Sequence, residues 1–177
     1  MRWITRANAH VDRTACPWLI LRFIDPEAEF GFVPAGTDPT TVEGEPFDMK
    51  GVRLGHRGQR CSFEAFLEDY DLASDPALAE LGRIVRDADI AFGRNKRPEA
   101  AGLAAFIDGL QMTTPDDQER LRLSDPLYDA LYAYCRGKVA LAPSAPPGRR
   151  FSRARRVENH LTGETNPQTA ASLEGRG

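Results

Sequence analysis

The stretch that decides the fold is residues 12–34, DRTACPWLILRFIDPEAEFGFVP. Its first half places apolar residues mostly at helical spacing, which predicts a helix over residues 12–24. Its second half ends in EFGFVP, residues 29–34, where charged or small residues alternate with aromatic and aliphatic ones as in a half-buried strand. Residues 2–6, RWITR, predict a short strand before the helix. The N-terminal part is therefore expected to run strand, helix, strand.

The remainder of the domain is dominated by helical patterns. Another short strand is expected over residues 47–54, and the helices that follow include a last one interrupted near Pro126. The predicted helices cover residues 62–70, 75–88, 98–110 and 115–136. This order predicts an α+β fold, with a small N-terminal strand layer and a mainly helical C-terminal half.

Composition bounds the class of protein. The 177 residues are 41% hydrophobic and 28% charged, which suits one ordinary soluble core. The longest apolar run, residues 103–107, is far shorter than a membrane span, and the N-terminus has no signal-peptide centre, so we expect a cytoplasmic protein without a membrane segment. Three scattered cysteines without a CxxC pair predict free thiols in a reducing compartment. The net charge of −3 argues against nucleic acid as the partner.

The composition changes after Lys138. Residues 140–177 are rich in Pro, Ala, Ser and Arg and show no apolar periodicity, so they predict a disordered tail behind a domain at residues 1–139. The tail contains five arginines within residues 149–156. Such a run suits nucleic acid or an acidic partner, although most such runs are simply solvated. A scaffold that recruits another protein through this tail is one hypothesis.

One group of polar residues surrounds the start of the first predicted helix. Arg6 ends the first strand and Arg13 lies in the first turn of the helix. The amides at a helix N-terminus favour an anion, and two guanidiniums add planar sets of donors that suit a tetrahedral dianion. Cys16 follows closely, and a thiol near a helix start has a lowered pKa when it is exposed, although free cysteines are more often buried.

A second group lies in residues 55–64, GHRGQRCSFE. Two glycines bracket His56 and its neighbour, so the backbone can turn sharply and present the imidazole. Cys61 and Glu64 follow at the start of a predicted helix. Imidazoles and carboxylates also suit a metal such as Fe, Mn or Zn, and the candidate ligands from both groups are His10, Asp12, His56 and Glu64.

Several of these segments, taken in order, resemble the characteristic domain of the chromate resistance (ChrB) family. They are WITR at 3–6, residues 12–34 as quoted, PFD at 46–48, LGHRGQRCSFEAFL at 54–67, DPALAELGRIVRDAD at 75–89 and YDALYAYCR at 128–136. Proteins of this family accompany chromate efflux transporters. Longer members carry an N-terminal winged-helix-like segment and act as chromate-responsive regulators. The resemblance implies that the basic residues of the sensing role correspond to Arg6, Arg13 and His56.

Two functions follow from these patterns. The first is a binding module in which Arg6, Arg13 and His56 hold chromate, or sulfate as its analogue, and report its presence to a partner protein during chromate stress. Because the sequence starts at the first strand, without a DNA-binding segment, we do not expect it to bind nucleic acid alone. The alternative is an enzyme, for example one that reduces chromate, with the metal ligands above or with Cys16 and Cys61 as redox thiols.

Overall fold

A computed structural model of the protein describes residues 1–90 and 97–141. Strands and helices alternate at the N-terminus, and helices alone make up the second half, which confirms the predicted α+β class. The strands are β1 (Arg2–Arg6), β2 (Glu29–Val33) and β3 (Glu45–Pro46). The helices are α1 (Val11–Phe23), α2 (Ser62–Asp69), α3 (Pro76–Asp89), α4 (Pro98–Thr113) and α5 (Asp117–Leu141).

The sheet has three parallel strands in the order β2-β1-β3. In the centre, Trp3 pairs with Phe30 of β2 on one side and with Glu45 of β3 on the other. The carboxyl ends of parallel strands meet at the same edge of a sheet, which is where side chains from different segments converge. Arg6 at the end of β1 therefore lies next to the loop that leaves β3.

The segment after β3 differs from the expected strand over residues 47–54. Only one pair of residues within it is bridged, Phe47 with Leu54. The extended conformation stops because Asp48 has a positive φ of 47° and Gly51 one of 80°. Both lie in the left-handed region, which turns the chain out of a strand. The result is a tight loop rather than a fourth strand.

Helix α5 runs without the interruption expected at Pro126. A proline inside a helix removes one backbone donor, so continuation needs compensating contacts. Buried residues lie on both sides of it, Ser124 before and Tyr128 after. The Tyr128 hydroxyl lies 2.8 Å from the Thr14 hydroxyl of α1, which anchors the helix beyond the proline. Packing therefore overrides the local preference.

The end of α5 lies close to the predicted domain boundary at residue 139. The helix extends to Leu141, two residues past the predicted end of the domain at residue 139. Residues 142–177, which include the basic run and nearly all of the expected tail, lie outside the described residues, so the tail stays a prediction. Within the described ranges, the helices are too short or too polar to cross a lipid bilayer.

The core joins the sheet to the helices through aromatic side chains. Trp3 of β1 is buried and its ring centroid lies 5.8 Å from that of Phe66 in α2. Trp18 of α1 lies 6.1 Å from Tyr128 of α5 and donates a 2.8 Å hydrogen bond from Nε1 to Asp129. These contacts fix the position of α1, whose first turn carries several candidate site residues.

Candidate ligand-binding site

Five segments meet at the carboxyl edge of the sheet and bring charged side chains together. They are the end of β1, the first turn of α1, the loop after β3, the start of α2 and the end of α3. The start of α2 contributes the hydroxyl of Ser62, and the other four segments contribute the charged residues Arg6, Asp12, Arg13, Asp48, His56 and Asp89. The carboxylates of Asp12 and Asp48 are almost fully buried, while the His56 side chain is 42% exposed.

The loop after β3 places Asp48 and His56 side by side. The amide of Phe47 donates to Ile4 of β1 at 2.9 Å, and the amide of Asp48 donates to the Leu54 carbonyl at 2.9 Å. The second bond closes the loop on itself, which brings its far end back to the sheet edge. His56 follows two residues after Leu54 and so reaches the same point as Asp48.

Asp48 is surrounded by donors. Its Oδ2 accepts from Arg6 Nη2 at 3.1 Å and from Arg13 Nη1 at 3.2 Å. Its Oδ1 accepts from the Ser62 hydroxyl at 2.7 Å and lies 3.3 Å from His56 Nε2. Burial would raise the pKa of Asp48, but the hydrogen bonds from His56 and Ser62 and the charge of Arg13 lower it overall. The carboxylate is therefore held ionised.

His56 faces three carboxylates through one nitrogen. Its Nε2 lies 3.1 Å from Asp12 Oδ2, and 3.3 Å from both Asp48 Oδ1 and Asp89 Oδ2. Hydrogen bonding to Asp12, then to Asp48 and Asp89, raises the pKa of His56 to about 12. The imidazole is therefore positively charged at neutral pH in this arrangement.

Asp12 links this cluster to the start of α2. Its Oδ2 accepts from the Ser62 amide at 2.6 Å and its Oδ1 from the Phe63 amide at 3.4 Å, so a residue of α1 caps a different helix. Burial raises the pKa of Asp12 to about 6, against the hydrogen bond from His56, and the neighbouring charges of Asp89 and Asp48 raise it further. The site thus concentrates more negative charge than its buried position favours.

Asp89, the last residue of α3, connects the cluster to His10. Its Oδ1 accepts from the Asp12 amide at 3.3 Å and lies 3.8 Å from His10 Nδ1, while its Oδ2 faces His56. The other ring nitrogen of His10 lies 2.9 Å from Asp108 of α4. The hydrogen bond with Asp89 raises the pKa of His10 despite its partial burial. His10 therefore lies one step outside the carboxylates that face His56.

The structure brings together the three residues predicted to bind an oxyanion. Arg6, Arg13 and His56 all lie within 3.3 Å of the Asp48 carboxylate.

Of the four predicted metal ligands, the structure brings only some together. Asp12 and His56 lie together and His10 is next to them, whereas Glu64 turns away, with Oε1 at 3.0 Å from Arg86 and Oε2 accepting from the Cys61 amide.

The two cysteines near the site are both buried. Cys16 lies within α1 and Cys61 immediately before α2, and neither side chain is accessible to solvent. Burial, with the nearby charge of Asp12, raises the pKa of both thiols far above the ordinary value. The thiolate is the reactive form of cysteine, so both are held in the unreactive form.

Sequence reasoning missed Asp48 and Asp89 as members of this cluster. Both lie inside segments that carry the family resemblance, PFD at 46–48 and DPALAELGRIVRDAD at 75–89. Each also lies at or just beyond the end of an element, where functional side chains gather. An acidic residue at such a position inside a resembling segment was the available signal.

Comparison with known proteins gives the family. The family model described as "ChrB, C-terminal domain" matches residues 3–135, which contain every residue of the cluster. The chain is also 37% identical to Protein ChrB of Cupriavidus metallidurans over 134 residues, which are 75% of this chain and 40% of that protein. The chain therefore spans less than half of that relative's length. No solved structure matches it. With the matched residues running from β1 to α5, the chain belongs to the ChrB C-terminal domain family, the chromate resistance family that its sequence resembles.

Proposed function

We propose that this domain binds chromate, or another tetrahedral oxyanion such as sulfate, through Arg6, Arg13 and His56. The observation that supports the proposal is their convergence. Side chains from a strand end, a helix start and a distant loop all contact one carboxylate, Asp48, whose two oxygens are held by three cationic groups and the Ser62 hydroxyl. Charge-assisted hydrogen bonds of this kind are the natural way to hold an oxyanion.

In this proposal Asp48 is an internal substitute for the ligand. A dianion that approaches from solvent takes over the guanidinium contacts of Arg6 and Arg13, and Asp48 turns away. Its backbone is in the left-handed region at a φ of 47°, which an aspartate adopts at some cost, so release of the carboxylate allows the loop to relax. The exchange would convert oxyanion binding into movement of the loop that also carries His56, and a partner protein can read that movement.

A neighbouring cavity gives the ligand a path to the Arg6 guanidinium. It has a volume of about 390 Å³, which is ample for a tetrahedral ion, and it contains Arg6 and a second cation, Lys50. The Arg6 side chain is 39% exposed and so can contact a ligand in this space. Asp38, which also lines the cavity, is already hydrogen-bonded to the amide and hydroxyl of Thr40. The remaining lining residues are Gly36, Thr37, Pro39 and Met49.

Removing one guanidinium tests the proposal. In a calorimetric titration with chromate, and separately with sulfate, Arg13→Ala is expected to bind at least about tenfold more weakly than the wild type. Loss of hydrogen bonds to a charged group costs about 1.5–3 kcal/mol, and each 1.4 kcal/mol is about tenfold in affinity. Circular dichroism on the same samples checks that the variant is folded.

The matched control is Arg122→Ala. Arg122 lies on α5, is 68% exposed and pairs only within its own helix with Glu119 among the described residues, so its loss should leave oxyanion affinity unchanged. Equal affinity of the Arg13 and Arg122 variants for chromate would remove Arg13 from the site. It would also leave the convergence on Asp48 as an internal ion-pair network without a ligand.

A further inference from the structure

Three carboxylate oxygens lie close to one nitrogen of His56, although a proton on that nitrogen can donate a well-aligned hydrogen bond to only one of them. The three oxygens of Asp12, Asp48 and Asp89 lie 3.1 to 3.3 Å from the same Nε2. A ring nitrogen carries at most one hydrogen, which points in one direction and makes one well-aligned bond. The other oxygens are then close to the nitrogen with no hydrogen between them. A metal ion, unlike a proton, can be bound by the nitrogen and several oxygens at once.

Three of these groups form a compact set of ligand atoms. Asp12, His56 and Asp89 each offer one atom, and the three atoms all lie within 4.8 Å of one another. Two ligand atoms on opposite sides of a zinc-sized ion lie about 4 Å apart, so small side-chain shifts suffice to bind one. Asp48 contacts His56 as well, but its other oxygen is committed to Arg6 and Arg13.

Backbone amides also donate hydrogen bonds to each carboxylate of the set and fix its orientation. Asp12 is held by the amides of Ser62 and Phe63, and Asp89 Oδ1 accepts from the Asp12 amide while Oδ2 faces the imidazole. His10 Nδ1 lies 3.8 Å from the same Oδ1 of Asp89. Metal ligands are characteristically fixed by outer hydrogen bonds of this kind, which set the direction of the ligating oxygen.

We propose that Asp12, His56 and Asp89 bind a divalent first-row transition-metal ion, such as Mn²⁺, Fe²⁺ or Zn²⁺. One imidazole with two carboxylates suits these ions, whereas Ca²⁺ prefers an all-oxygen set and Cu⁺ prefers sulfur. Three protein ligands leave further coordination positions open. The His56 side chain is 42% exposed, so one of the three ligands lies at the protein surface.

This site differs from the set expected from sequence and does not depend on the oxyanion proposal. Asp89 takes the place expected for Glu64, and His10 lies behind Asp89 rather than in the set. The two proposals share His56 and differ elsewhere. Arg13→Ala is expected to weaken chromate binding and leave metal affinity unchanged, so failure of one proposal can be told from failure of the other.

The test is direct metal binding. Wild-type protein is stripped with a chelator, dialysed and titrated with Mn²⁺ or Zn²⁺, with calorimetry for affinity and the electron paramagnetic resonance signal of free Mn²⁺ for stoichiometry. We expect one ion per chain and a higher melting temperature with the ion bound. Asp89→Asn and His56→Ala are expected to weaken binding by more than about tenfold. The partial exposure of His56 makes its variant tolerable to the fold, which circular dichroism verifies.

Asp125→Asn is the matched control. It removes a carboxylate of α5 that pairs with Arg22, and it should bind the ion as the wild type does. The inference is overturned if the stripped wild type takes up neither ion. It is equally overturned if folded His56→Ala and Asp89→Asn proteins bind the ion as tightly as the Asp125 variant, because the ion then lies elsewhere.

Discussion

Replacing Trp18 with alanine is expected to lower the free energy of unfolding by about 4 kcal/mol, since truncation of a buried tryptophan costs about 3–5 kcal/mol. The side chain is only 2% exposed, and its ring lies 5.7 Å from Tyr132 and 6.1 Å from Tyr128. It also donates a hydrogen bond to Asp129. The variant removes the aromatic contacts of α1 with Tyr128 and Tyr132 of α5. Urea unfolding followed by circular dichroism measures the change.

Trp18→Phe separates packing from the hydrogen bond. Phenylalanine keeps most of the ring contacts and loses only the donor to Asp129, whose carboxylate still binds Arg22. We expect a loss of about 1–2 kcal/mol, the ordinary worth of one hydrogen bond with a small packing change. An alanine variant no less stable than the phenylalanine variant would mean that the α1–α5 contact does not hold the domain together.

Asp12→Ala is expected to have the next largest effect on stability, a loss of about 2 kcal/mol. The change leaves the buried amide of Ser62 and that of Phe63 without their acceptor, at about 1–3 kcal/mol for a buried unsatisfied group. Part of that loss is offset because the cluster has one fewer buried charge. The raised pKa of Asp12, about 6, shows that this charge is itself unfavourable at neutral pH.

Asp12→Asn tests this division. The amide oxygen of asparagine can still accept from Ser62, while the negative charge beside Asp48 and Asp89 is removed. We therefore expect the asparagine variant to stay within about 1 kcal/mol of the wild type, as for a retained helix cap. Thermal and urea unfolding of both variants at neutral pH supply the comparison. Equal losses for alanine and asparagine would show that charge, and not the capping of α2, explains the role of Asp12.

The N-terminal fold could be predicted because its signals are local. Helical spacing in residues 12–24 and alternation in residues 29–34 each reflect burial of one face of one element. The structure has α1 at Val11–Phe23 and β2 at Glu29–Val33, close to those bounds. The prediction of a strand after β3 was wrong because the chain turns at Asp48 and Gly51, both with positive φ. Aspartate and glycine are residue types that favour turns and tolerate the left-handed region, so this was a local signal that the strand prediction overlooked.

The candidate site was only partly predictable, for a different reason. Arg6 and Arg13 are near each other in sequence, and His56 stood out between two glycines, so each could be chosen without knowing the fold. Asp48 and Asp89 become site residues only when the loop after β3 and the end of α3 reach the start of α1. That proximity is set by tertiary packing, which hydrophobic periodicity does not encode. The sequence therefore indicated the cations and Asp12, but not the carboxylates of Asp48 and Asp89.

The most direct test of the central claim, that Asp48 occupies the place of an external oxyanion, is a calorimetric titration of chromate into wild-type protein and Asp48→Asn. The variant loses the internal charge that both guanidiniums bind, so the ligand no longer competes with it. The account predicts that Asp48→Asn binds chromate at least about tenfold more tightly than the wild type, since a charged hydrogen bond is worth about 1.5–3 kcal/mol. A folded Asp48→Asn protein that binds chromate no more tightly than the wild type would contradict it.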